Sequence, residues 1–134
     1  MVDARLEVYH NRAEQLADAM KLCQDDLHSY ASAAVLLAVH SAISYNDAVI
    51  LELGGERPRS PDHRQAVPAL KRACTGAKID QQGVTQLTKL VNAKTDISYG
   101  DKMIDDERVS ALCIAAERFQ VWAERVLQKQ RGRG

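Results

Sequence analysis

The stretch YASAAVLLAVHSAISYNDAVILEL, residues 30–53, contains neither Gly nor Pro and is apolar on nearly every side. A helix of that composition is normally buried at the centre of a bundle, because a surface helix would carry a broad polar face. His40, Ser44 and Asp47 interrupt it at positions i, i+4 and i+7, so a helix places them on one face. Buried polar groups need partners, which makes this stripe the first candidate for a functional site.

The same stretch is long enough to cross a membrane, but its composition argues against a span. Polar and charged side chains interrupt it at His40, Asn46, Asp47 and Glu52. Such side chains are costly in lipid, so we predict no membrane association. The first ten residues, MVDARLEVYH, also lack the apolar segment of a signal peptide.

Cysteine usage and charge agree with a soluble protein. The three cysteines have no Cys-x-x-Cys spacing and lie inside helical patterns, which predicts reduced, buried thiols and a cytoplasmic location. The 18 basic residues balance the 18 acidic ones, so no net charge draws the chain toward nucleic acid or membrane. The length of 134 residues suits one domain, which we place at residues 1–128, with a basic, disordered tail at 129–134.

Apolar periodicity predicts helices along the whole chain. A first helix spans most of 3–27, and the second, 30–53, begins after Ser29 as a possible cap and ends at Gly54-Gly55. After the linker GGERPRSP, further helices begin at residues with capping side chains: Asp62, Asp80 and Asp105. No stretch alternates with the period of a strand. The predicted fold class is all-α, an antiparallel four-helix bundle with an additional short helix.

His63, two residues after the linker, extends the polar stripe. In an antiparallel helical hairpin the end of the second helix and the start of the third are close, so Asp47 and His63 are expected to be neighbours. One interpretation is a carboxylate that orients a histidine for proton transfer or for holding a phosphate. The other, which we favour at this point, is a structural polar pair that closes the hairpin.

Metal, cofactor and nucleophile motifs are absent from the sequence. The side chains with metal-ligand chemistry that we considered are His10, His28, His40, Asp47 and His63. None follows the His-Glu-x-x-His, Glu-x-x-His or Cys-x-x-Cys spacing, so we predict neither a metal site nor a cofactor. There is no Gly-x-Ser-x-Gly and no Gly-rich phosphate loop.

A basic loop is the main feature pointing to nucleic acid. Arg57, Arg59 and Arg64 gather around the linker, and such loops grip phosphates. No aromatic residues are interleaved with them, so base stacking is not indicated. A solvated basic loop is the commoner meaning of this cluster.

Several strings together resemble the HEPN-like superfamily. These are AVHSAISYNDAVILELGG, SPDHRQAVPAL and KLVNAKTDISYGDKMIDDERVSALCIAAERF, which cover about residues 30–127. Members carry a small-residue-rich second helix with Asp-Ala near its end, a Gly-containing loop, often Asp-His at the next helix, a charged segment ending in Tyr, and Ala-Glu-Arg in the final helix. The matching positions here are Asp47-Ala48, Asp62-His63, Tyr99 and Ala116-Glu117-Arg118.

The resemblance implies a bundle that usually forms a homodimer and a link to RNA cleavage, nucleotide binding or toxin–antitoxin systems. Nuclease members carry an Arg followed a few residues later by a His where the dimer halves meet. Here Lys94 stands where that Arg is expected, Ile97 or Ser98 stands where the His is expected, and no His follows His63. The spacing from Arg57 to His63 fits by count, but it lies in the wrong segment.

We therefore expect a HEPN-like helical protein that binds RNA, a nucleotide or a protein partner without being a competent nuclease. Lys94, Asp96 and Tyr99 occupy the family's functional segment and are the first candidate ligand-binding residues, followed by Arg57 and Arg59. We expect this surface to lie across the bundle from the second helix. One alternative is a metal-independent ribonuclease with a displaced catalytic set of His63, Arg57 and Lys94. Another is a purely structural protein-interaction subunit, such as an antitoxin-like one.

Overall fold

The computed structural model describes residues 3–58, 63–99 and 104–131, without the side chains of 95–99 and 130–131. Its helices are α1 (Ala4–Gln24), α2 (Ala31–Glu52), α3 (Ala66–Ala77), α4 (Gln82–Tyr99) and α5 (Asp106–Arg131). A 3-10 turn, His63–Gln65, precedes α3. The described residues contain no strand, so the predicted all-α bundle is confirmed, with α3 as its short additional helix.

The helix α2 lies at the centre of this bundle. It packs against α1, α3, α4 and α5, and nearly every residue from Ala38 to Ile50 is buried. By length and composition α2 is the one helix among the described residues that could span a membrane, but 72% of its most apolar window is buried inside the protein. Burial on all sides is what its composition predicted, since an apolar helix in water must be covered.

Side chains cap three of the helices where short polar residues precede an apolar run. Asp3 accepts a hydrogen bond from the backbone N–H of Arg5 at α1, Asp80 from that of Gln82 at α4, and Asp105 from that of Arg108 at α5. Asp80 and Asp105 confirm the predicted starts of their helices. Ser29 is not the cap of α2, because the N-cap is Tyr30, whose side chain makes no capping bond.

The turn after α2 and the start of α3 determine how α3 packs against α2. Gly54 adopts a φ of 79° after α2, the left-handed conformation that ends many helices. Pro68 lies in the first turn of α3, where its missing N–H has no helical partner to lose, so it does not kink the helix. The residues 59–62, including the predicted helix start at Asp62, lie outside the described part of the chain.

The contact between α4 and α5 depends on a glycine. The indole N–H of Trp122 donates to the Asp80 carboxylate at 2.8 Å, so the residue that caps α4 also anchors α5. This brings the ring against Gly83, where an added Cβ would lie 2.3 Å from Trp122 Cε3. The Trp122 ring is rigid and closely packed, so it cannot shift to make room for a Cβ, and only glycine fits at position 83.

We predict that Gly83→Ala destabilises the protein by about 1–3 kcal/mol. Alanine favours a helix by about 1 kcal/mol over glycine, but overpacking against Trp122 outweighs that gain. Gly76→Ala in α3 is the matched control, since a Cβ there meets nothing within 4 Å, and it should leave stability unchanged or raise it. Urea unfolding of both variants measures the difference, and equal stability would contradict the proposed close packing.

Candidate functional site

The polar stripe of α2 faces a place where four segments of the chain meet. Ser44 and Asp47 are buried, while His40 is half-buried one turn earlier. The 3-10 turn packs against α4, and α4 packs against α2, so side chains from both reach the stripe. Helical spacing alone puts the three α2 residues on one face, and the bundle supplies their neighbours.

His63 and Lys94 meet at this face of α2. The Lys94 Nζ lies 2.5 Å from His63 Nδ1, and the His63 ring packs edge-on against His40, with centroids 5.7 Å apart. A lysine ammonium only donates, so in this contact Nδ1 accepts and the neutral His63 ring carries its proton on Nε2. Two imidazoles and one amine therefore share a small, partly accessible space.

Asp47 carries the negative charge of the site. Arg57, from the loop after α2, donates from Nη2 to Asp47 Oδ2 at 3.2 Å, and its Nε lies 3.2 Å from Oδ1. The Arg57 guanidinium also stacks on the Tyr9 ring, 4.3 Å from its centroid. This planar contact suits arginine better than lysine and fixes the direction of the side chain.

Burial and neighbouring charges shift two pKa values here in opposite directions. Burial of Asp47 raises the pKa of its carboxyl, and Arg57, His63 and Arg12 act against that rise. Burial lowers the pKa of His40, and the positive charge of Lys94 lowers it further. The site thus favours a neutral imidazole at His40, which is able to accept a proton.

The structure brings together residues that the sequence placed in two separate regions. Lys94, expected across the bundle, contacts His63 and acts on His40, because α4 lies beside α2 and the 3-10 turn. The predicted neighbours Asp47 and His63 interact electrostatically, and Asp47 is also paired with Arg57. We call the group His40, Asp47, Arg57, His63 and Lys94 the histidine–lysine site.

Three of the predicted ligand-binding residues lie wholly or partly outside the described part of the chain. Arg59 lies outside the described part of the chain, and Asp96 and Tyr99 lie in α4 with side chains that are not described. The sequence singled out His40 as a member of the polar stripe, but it did not predict that His40 would lie beside His63 and Lys94. A signal was present, because His40 lies two turns before Asp47 on the same helical face.

Comparisons with known proteins leave the resemblance to the HEPN-like superfamily as a prediction. The chain matches no protein-family model and no curated protein sequence.

We predict that His40→Gln reduces the pH dependence of stability below neutrality. The folded-state pKa of His40 lies below the unfolded value of 6.5, so the unfolded chain binds more protons as pH falls. The contribution of a neutral His40 to stability should therefore be present above about pH 6.5 and be lost as the pH falls below it. Melting temperatures from pH 5 to 8 test this, and parallel curves for the wild type and the variant would refute it.

Proposed function

We propose that this chain is a HEPN-like, cytoplasmic, homodimeric binding protein whose histidine–lysine site takes a phosphate group of RNA or of a nucleotide. The observation that carries the proposal is the convergence of Lys94, His63 and His40 at one partly accessible place beside Arg57. We propose a role in binding rather than in catalysis. A toxin–antitoxin-related process is one setting for such a protein.

The balance of charge supports an anionic ligand. Lys94 and Arg57 are cationic, whereas Asp47 is the one carboxylate among the members of the site. Asp47 is already paired with Arg57. The Lys94 ammonium contacts the neutral imidazole of His63 and not a carboxylate of the site. A phosphate would accept a charge-assisted hydrogen bond from the Lys94 ammonium and further hydrogen bonds from imidazole N–H groups.

The departures from the family's nuclease motif support binding without cleavage. Lys94 stands where the resemblance expects Arg, and no His lies in the segment that follows it. Lysine binds phosphate as a point charge and lacks the planar fork of arginine. The proposed homodimer rests on the resemblance and on two exposed apolar side chains of α5, Ile114 and Val121, which a partner would cover.

We predict that Lys94→Gln weakens binding of a fluorescein-labelled single-stranded RNA about tenfold. One lost charge-assisted contact to phosphate is worth about 1.5 kcal/mol, and the slope of log affinity against log salt should fall by about one. Lys89→Gln removes an exposed lysine from the same helix and is the matched control, expected to bind as the wild type does.

Fluorescence anisotropy at several salt concentrations measures both quantities, and calorimetry with mononucleotides extends the test to small ligands. Equal losses in the two variants would show only diffuse charge attraction. No binding of RNA, DNA or nucleotides by the wild type would leave the protein-interaction alternative.

A ribonuclease remains the second candidate because of the pair of histidine rings. Cleavage without metal needs a base for the 2′-hydroxyl, an acid for the leaving oxygen and a cation for the developing charge. His40, whose pKa is lowered, His63 and Lys94 offer these three chemistries within one site. This set differs from the displaced set expected from the sequence, because His40 joins it and Arg57 is engaged with Asp47.

We predict no cleavage of RNA by the wild-type protein in the presence of a chelator. Gel analysis of labelled RNA, with an otherwise identical strand containing 2′-deoxy positions, provides the measurement. Cleavage that requires the 2′-hydroxyl and is lost in both His40→Asn and His63→Asn would overturn the non-catalytic proposal in favour of the ribonuclease.

A further inference from the structure

A second polar cluster lies between α1 and α5, apart from the histidine–lysine site. His10 Nε2 is 2.9 Å from Glu14 Oε1 and 2.5 Å from Glu124 Oε1. The three potential ligand atoms all lie within 4.8 Å of one another, and no other such group of His, Cys, Asp or Glu occurs among the described residues. One imidazole nitrogen thus faces two carboxylates that come from different helices.

The burial of this cluster is graded from the inside outward. The His10 side chain is 11% exposed, whereas the side chains of Glu124 and Glu14 are 28% and 51% exposed. The cluster is therefore anchored in the bundle and open to water on the Glu14 side. An ion held there would have room for water as a further ligand.

Neighbouring side chains hold the inner part of the cluster in place. The buried Tyr45 hydroxyl accepts a hydrogen bond from Gln120 Nε2 at 3.0 Å and interacts electrostatically with the Glu124 carboxylate. The His10 ring also packs at a tilt against the Tyr45 ring, with centroids 5.9 Å apart. Partners of this kind orient the ligands of metal sites.

We propose that His10, Glu14 and Glu124 bind one first-row divalent metal ion, of which Zn²⁺ is the best match. Zinc takes His nitrogen and carboxylate oxygen in tetrahedral sites, and three protein ligands with one open position fit the graded burial. The two carboxylates balance the charge of a dication when the imidazole is neutral. The nitrogen ligand disfavours Mg²⁺ and Ca²⁺, which prefer oxygen alone.

Only small movements are needed to accept the ion. Zinc–ligand distances of about 2.0–2.2 Å place neighbouring ligands of a tetrahedral site about 3.4 Å apart. The observed separations of 2.5 and 2.9 Å are those of hydrogen bonds, so each must open by less than about 1 Å. The larger opening is needed between His10 and Glu124, while the half-exposed Glu14 can make its smaller adjustment by a rotamer change.

The competing interpretation is an imidazolium bridging two carboxylates as a structural ion pair. Both interpretations account for the short contacts, but they differ in what metal addition does. An ion pair in which the imidazole nitrogen keeps its proton gives no saturable metal binding. A metal ion that binds at this site displaces that proton. Binding at this site is also separable from the proposed phosphate binding, since the two sites share no residue.

Titration of tag-free, full-length protein with Co²⁺ tests the proposal. We expect one equivalent per chain, with visible absorption bands of a low-coordinate ion that Zn²⁺ abolishes, and a rise in melting temperature on Zn²⁺ addition. Glu14→Gln and Glu124→Gln keep the side-chain shape but remove the anionic ligand, and each should weaken binding at least tenfold. Asp18→Asn on the exposed side of α1 should bind as the wild type does.

Two further controls locate the ion. His63→Asn should leave Co²⁺ binding unchanged, which separates this site from the histidine–lysine site. A thiolate-to-cobalt charge-transfer band would instead place the ion on Cys23, the most exposed of the three free thiols, and would overturn the proposal. Unsaturable Co²⁺ binding with no Zn²⁺-induced stabilisation, or wild-type affinity in Glu14→Gln or Glu124→Gln, would also overturn it.

Discussion

The arrangement of the other helices depends on the need to bury the apolar surface of α2. From Ala38 to Ile50 this helix is almost wholly buried, and α1, α3, α4 and α5 all pack against it. Buried polar side chains on α2 then need partners from the segments that surround it. Ser41 donates to the Ala13 carbonyl oxygen on α1, Asn46 to that of Ala66 on α3, and Asp47 pairs with Arg57.

The same constraint explains why both polar clusters lie where they do. Tyr45 packs against His10 of α1 and accepts a hydrogen bond from Gln120 of α5. His40 packs against His63 of the 3-10 turn, which also contacts Lys94 of α4. Burying such groups costs free energy unless they are paired, and removing one partner of a buried ion pair costs about 3–5 kcal/mol. An apolar helix would avoid this cost, so polar residues at these positions favour a functional role over a purely structural one.

Local chemistry was predictable from the sequence, and contacts between helices were much less so. The composition of α2 predicted its burial, and Asp80 and Asp105 predicted their helix starts, because these features depend on residues close together in the chain. The approach of Trp122 to Gly83 and of Glu124 to His10 depends on how α5 is rotated against its neighbours, which helical periodicity does not specify. Lys94 was singled out by resemblance alone, and its contact with His63 required the position of α4.

The most direct test of the histidine–lysine site follows the imidazole signals of the four histidines by nuclear magnetic resonance during titration with inorganic phosphate. At constant pH and ionic strength, the signals of His40 and His63 should shift saturably, because phosphate binds beside both rings. Those of His10 and His28, which lie with carboxylate partners elsewhere, should stay in place. Equal shifts of all four histidines, or none at His40 and His63, would contradict an anion-binding site at this face of α2.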